Sequence, residues 1–336
     1  MNVRRRLIPA ALASALGLGA LTACSSDSAA TGNTEKFDVV ASFYPMAFLA
    51  EQIGGDHAHV TSLTEPGQEP HDLEISTRQR AQLEEADAAL YLKGLQPAVD
   101  EAVAQTGIET KIDAAGLTRL EDHGTGGHSH EGEEGHSEEG HSEEGHSEEG
   151  HSEEGHSEEE EEHARDPHVW LDPVKYAEVA RGVGKAFEKA DPDHAADYKK
   201  NTEALVEKLN GLNKDFENGL KDTRSKVFFT NHAAFSYLAE RYGLTQEAIS
   251  GMDPESEPSA ARVRELQQEA KADGVTTVFY ETLVSDKTAK TLARDANLKT
   301  DVLDPLEGIT DRSRGDDYFQ VMESNLEALQ KALGAK

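Results

Sequence analysis

Short β-rich runs alternate with helical stretches along most of the chain, and that alternation leaves few folds open. Residues 37–42, 60–64, 88–92 and 112–117 read as strands, with helices at 45–53, 76–86 and 96–105 between them. The rhythm returns later, with strands at 226–230, 244–250, 276–280 and 300–303 and helices at 233–242, 258–272, 285–296 and 316–333. Strands separated by helices of this length run parallel through right-handed crossovers. Between the two sets lie a helix at 173–190 and a longer one at about 193–221. Apolar Leu205, Leu209, Leu212, Phe216 and Leu220 recur along it every three or four residues. At about 1.5 Å per residue the long helix would run roughly 40 Å, which suits a stiff strut between domains. The expected class is therefore α/β. An N-terminal lobe at 37–192 and a C-terminal lobe at 223–336, each a parallel sheet flanked by helices, are joined by a long rigid helix at 193–222.

Low complexity interrupts the first lobe. Residues 121–164 are expected to form a disordered loop, because His, Gly, Ser and Glu supply almost nothing to bury. Its centre repeats Gly-His-Ser-Glu-Glu, with histidines at His136, His141, His146, His151 and His156. The chain carries a formal net charge of −32, which excludes nucleic acid and an anionic membrane surface as natural partners. More than half of that charge is local, since residues 121–163 hold 18 acidic residues and no Lys or Arg.

The first residues read as an export signal. Arg4, Arg5 and Arg6 precede an apolar run at 7–21 that is shorter than a membrane span needs. Leu21-Thr22-Ala23-Cys24 then resembles a bacterial lipobox, which implies cleavage before Cys24 and lipid on its sulfur. Cys24 is the only cysteine, so no internal disulfide is expected. The small polar stretch at 24–36 suits a tether, and the expected location is extracytoplasmic, anchored by that lipid.

Five side chains sit where such a fold binds ligands, beyond the carboxyl ends of its strands. His71 follows a strand in Gly-Gln-Glu-Pro-His-Asp, and His168 precedes a helix in Asp-Pro-His-Val-Trp-Leu-Asp-Pro. His232, Glu281 and Asp304 each close a strand. Neutral imidazoles with a carboxylate oxygen suit zinc, so a cleft between the lobes could hold a metal. Glu281 also reads as a helix cap or a hinge contact. The loop histidines read either as a solvated acidic linker or as a weak, mobile zinc collector.

These motifs, with Asn-His-Ala-Ala-Phe around His232 and Leu-Asp-Pro-Leu-Glu-Gly around Asp304, make the chain resemble the cluster A-I solute-binding proteins of zinc and manganese ABC importers. The resemblance covers nearly all of residues 37–333. It implies His71, His168, His232 and Asp304 as metal ligands in a cleft between two lobes bridged by a rigid helix. It also implies Zn2+ as transported ligand, a membrane ABC permease with a cytoplasmic ATPase as partners, a monomer, and no catalysis. Manganese-handling members commonly carry glutamate at the position of His232, so a third imidazole points to zinc. Some zinc-binding members carry an acidic residue directly before the first histidine; here Pro70 intervenes and Glu69 lies one position further back. A secreted metallohydrolase would need an open metal position and a nearby base, and four protein ligands would close the site.

Overall fold

The computed structural model describes residues 36–123 and 165–335. The export signal, Cys24 and histidines 136, 141, 146, 151 and 156 lie outside these residues. Among the described residues, no helix is long and apolar enough to cross a membrane.

The first sheet contains β1 (Phe37–Ala41), β2 (Ala58–Ser62), β3 (Ala88–Tyr91) and β4 (Thr110–Asp113), in the order β2-β1-β3-β4 and wholly parallel. Helices α1 (Tyr44–Gly54), α2 (Thr77–Glu85) and α3 (Pro97–Gln105) connect them. Helix α4 (Pro173–Ala190) and the 26-residue α5 (Ala195–Leu220) follow. The second sheet repeats the first, with β5 (Val227–Thr230), β6 (Thr245–Ala248), β7 (Thr277–Tyr280) and β8 (Lys299–Val302) in the order β6-β5-β7-β8. Its helices are α6 (Ser236–Arg241), α7 (Ala260–Ala272), α8 (Lys287–Ala296) and α9 (Tyr318–Leu333). The expected two parallel α/β lobes and the long helix are therefore present.

Strand residues alternate between two apolar layers, as the pleat requires. Val39, Ala88 and Leu90 face one cluster while Val40 and Ala89 face another, built with α2 and α3. Phe228 and Phe279 join the first cluster, while Phe229 and Val278 pack with α7 and α8. The first cluster thus runs under both sheets, and Leu205, Leu209, Leu212, Phe216 and Leu220 of α5 belong to it. The long helix is not a bare strut; its apolar stripe is buried in a core shared by the two halves. Close approach of α4 and α5 depends on Gly184, where an added Cβ would lie 2.2 Å from Oγ1 of Thr202.

Local chemistry sets the element ends nearest the site. Asp172 N-caps α4, its Oδ1 accepting from the Val174 N–H at 2.9 Å, and Pro173 opens the helix. Asp172 is buried and also accepts from Arg241 of α6 in a bidentate pair, Nη2 to Oδ2 at 2.6 Å and Nε to Oδ1 at 3.0 Å. Helix α6 is shorter than the expected 233–242, because preceding backbone groups are committed elsewhere. The His232 N–H donates to Glu281, and the Ala233 N–H donates to the Gly251 carbonyl.

Candidate functional site

The carboxyl ends of both sheets converge on three imidazoles and one carboxylate. His71 lies in the loop after β2, His168 opens the short turn before α4, His232 follows β5 after Asn231, and Glu307 follows β8. Their ligand atoms lie within 4.8 Å of one another. Glu307 Oε1 is 3.2 Å from Nε2 of His71, 3.3 Å from Nε2 of His168 and 3.2 Å from Nε2 of His232. The Nε2 atoms of His168 and His232 are 3.4 Å apart. A tetrahedral zinc site with bonds of about 2.0–2.2 Å has edges of roughly 3.3–3.6 Å, so this spacing already approaches that of a filled N3O site.

The group is buried. His168, His232 and Glu307 have fully or almost fully covered side chains, and His71 keeps 14% of its side chain exposed. Glu307 Oε2 is covered and has no hydrogen-bond partner among the described residues. An orphaned acceptor of that kind costs about 1–3 kcal/mol unless a ligand satisfies it.

Carboxylates behind the imidazoles fix their direction. Nδ1 of His168 is 2.8 Å from Asp166 Oδ1, which also accepts from the His168 backbone N–H at 2.9 Å. Nδ1 of His232 is 2.6 Å from Glu281 Oε1, which accepts from the His232 N–H at 3.1 Å. Such pairs select the tautomer whose Nε2 lone pair faces the centre of the group, where it could take a metal ion. Glu281 therefore stands behind the group, holding His232. In the loop carrying His71, Glu69 Oε1 accepts from the His71 N–H at 3.0 Å and Oε2 from the Asp72 N–H at 3.2 Å, so Glu69 shapes that turn.

The electrostatics follow from burial and proximity. Burial alone would lower the pKa of His168, but hydrogen bonds to Asp166 and Glu307 outweigh it and hold the pKa above the ordinary imidazole value. Burial likewise opposes charge on His232, yet Glu281 and Glu307 raise it well above that value. Burial would raise Glu307, but the neighbouring His232 charge and hydrogen bonds from the three imidazoles hold it well below the usual carboxylate range.

Asp304 is buried but is not brought into this group. Its Oδ1 accepts from the Leu306 N–H at 2.9 Å, and its Oδ2 accepts from the hydroxyls of Thr282 at 3.1 Å and Ser313 at 2.8 Å. Asn325 clamps its backbone from both sides, donating to its carbonyl at 2.7 Å and accepting from its N–H at 2.9 Å. The turn that Asp304 stabilises carries Leu306 at φ +59°, a left-handed conformation that branched residues avoid. That turn delivers Glu307 to the imidazoles. Glu307 was visible in the same Leu-Asp-Pro-Leu-Glu-Gly motif, three residues after Asp304. What sequence lacked was the direction of the turn between them.

Replacing Asp166 with Asn, or Glu281 with Gln, should weaken metal binding by roughly 10–100-fold while leaving all four inner side chains in place. Competition against a chelator of known affinity measures it, and unchanged affinity in both variants would refute the orienting role.

A family model described as periplasmic zinc-uptake complex component A, ZnuA, matches residues 39–332. The chain is 37% identical over 320 residues to the zinc-binding lipoprotein AdcA of Streptococcus pneumoniae, covering 93% of this chain and 58% of the relative. It thus spans little more than half the length of that relative. It is 34% identical to the high-affinity zinc uptake system protein ZnuA of Bacillus subtilis, covering 95% of this chain and 98% of the other. The solved Zn(II)-bound ZnuA-like domain of Streptococcus pneumoniae AdcA superposes with a TM-score of 0.67 at 33% identity, covering 89% of this chain and 99% of that one.

Proposed function

We propose that this chain, which belongs to the ZnuA family of periplasmic zinc-uptake components, captures Zn2+ between its two sheets and hands it to a membrane importer. The observation that carries this reading is the buried N3O group of His71, His168, His232 and Glu307, spaced like the corners of a zinc tetrahedron. The family is a transport component, and the proposed act is capture and release without bond chemistry.

Three imidazoles favour a borderline ion over the harder, oxygen-preferring manganese. With one carboxylate among four ligands, the filled site would carry a single positive charge, which Asp166 and Glu281 behind the imidazoles offset. A core continuous under both sheets supports a modest adjustment around the ion rather than a wide hinge. The partners of this reading are an ABC permease and its cytoplasmic ATPase. A lipid on Cys24 would keep the monomeric protein at the membrane surface, and the histidines between residues 128 and 163 would gather zinc weakly near the site.

A zinc titration of the metal-free protein, with manganese in excess as competitor, tests the reading. One tight zinc site that outlasts manganese is expected, and His232→Glu should erode that preference. If manganese displaces zinc from the unaltered protein, the reading fails.

Acidity should act in one direction. The pKa values of His168 and His232 are raised above the ordinary imidazole value in the metal-free protein by the carboxylates beside them, so zinc competes with protons for these rings. Zinc binding should therefore release protons and weaken as pH falls through and below neutrality. Calorimetric titration in buffers of different ionisation enthalpy reads that release, and a heat independent of buffer would contradict it.

A further inference from the structure

Apart from the inner site, one other set of histidine and carboxylate atoms among the described residues lies close enough to share an ion. It comprises Glu121, His123 and Glu240, whose ligand atoms lie within 4.8 Å of one another. Nε2 of His123 is 3.1 Å from Glu240 Oε2 and 4.0 Å from Glu121 Oε2.

The wiring behind His123 repeats that of the inner site. Its Nδ1 is 2.7 Å from Asp166 Oδ2, and the other oxygen of this carboxylate holds Nδ1 of His168 at 2.8 Å. A carboxylate fixing one ring nitrogen while the other faces further oxygens is the usual outer arrangement of a metal-binding imidazole. The His123 ring is also pinned edge-on against Tyr237, with centroids 4.4 Å apart at 81°. Tyr237 ties the same segments together, accepting from the Glu121 N–H at 2.8 Å and donating to the Asp166 carbonyl at 2.8 Å.

The donor set defines the ligand class. Glu121 gives Oε1 to Lys175 Nζ at 2.7 Å, while its Oε2 faces His123 Nε2 at 4.0 Å. One nitrogen and two carboxylate oxygens suit a borderline divalent ion such as zinc, with a coordination position left for water. Glu240 keeps 62% of its side chain exposed and His123 only 15%, so the group sits at the rim of the protein. It borders a cavity of about 340 Å³ lined also by Ser236, Gln246 and Glu247. A rim group with two protein oxygens and one nitrogen should hold its ion more loosely than the buried N3O group.

We propose that Glu121, His123 and Glu240 form a second, weaker site for a divalent transition-metal ion, sharing Asp166 with the inner site. An ion there would tie α6 of the second half to residues 121–123 of the first. Without an ion, the same groups form the observed histidine–carboxylate cluster.

Anomalous diffraction at the zinc edge tests this on crystals of the full chain, grown without metal and soaked in zinc. The expected result is a peak about 2 Å from His123 Nε2, distinct from the peak among His71, His168, His232 and Glu307, and lost in Glu240→Gln. Density at the inner site alone would overturn the second site while leaving the proposed function standing. A peak beside His123 that persists undiminished in E240Q would also overturn it, because the ion would then not depend on the assigned ligands. A peak at His123 with none at the inner site would overturn both the order of affinities stated here and the proposed function.

Discussion

Glu307→Gln should weaken zinc binding well beyond the roughly 100-fold upper range expected for loss of an outer partner. Glu307 is the one carboxylate in the inner group, and its Oε1 lies 3.2–3.3 Å from all three Nε2 atoms. Gln keeps the volume but removes the charge that offsets the ion. Asp304→Asn is the informative contrast. Asp304 contacts Thr282, Ser313 and the Leu306 N–H, so its substitution should loosen the turn and cost stability, with a smaller effect on zinc affinity. Chelator competition on both variants separates the two carboxylates. If D304N abolishes tight binding and E307Q retains it, the assignment of Glu307 is wrong and the ligand implied by family resemblance is right.

The second large effect is on stability. Trp170 is completely buried, meets Phe43 edge-on at 5.0 Å and 71°, and donates from Nε1 to the Pro305 carbonyl at 2.7 Å. Its own carbonyl accepts from the Tyr318 hydroxyl at 2.7 Å. Trp170 therefore connects the turn that presents His168 to the turn that presents Glu307. Trp170→Ala should cost about 3–5 kcal/mol through lost packing and the cavity left behind. Trp170→Phe keeps much of the packing but leaves the Pro305 carbonyl without its donor, at about 1–3 kcal/mol. Denaturant unfolding of the metal-free proteins measures both. A loss below about 1 kcal/mol for W170A would mean that the two turns are held together by something else.

Much of this protein is legible in its sequence. Alternating strand and helix periods specify parallel sheets, because a crossover helix permits little else. His71, His168 and His232 were accessible for a related reason: each sits at a strand or helix boundary inside a compact motif, and such boundaries face the ligand edge of an α/β sheet. Helix ends were read less accurately. The helix expected at 233–242 includes Ala233, Ala234 and Phe235, yet the His232 and Ala233 N–H groups bond to Glu281 and the Gly251 carbonyl, so α6 begins only at Ser236.

Local pattern determined the two sheets, the long amphipathic helix and the three imidazoles, since periodicity and residue chemistry are properties of neighbours in the chain. Tertiary structure alone decided what lies between distant segments. It buried the stripe of α5 in a core common to both sheets, placed Glu281 and Asp166 behind two of the imidazoles, and turned the chain at Leu306 so that Glu307, rather than Asp304, faces them. The physical reason is that a buried carboxylate takes its role from the donors that reach it. Those donors come from residues far apart in sequence, whose convergence only packing can fix.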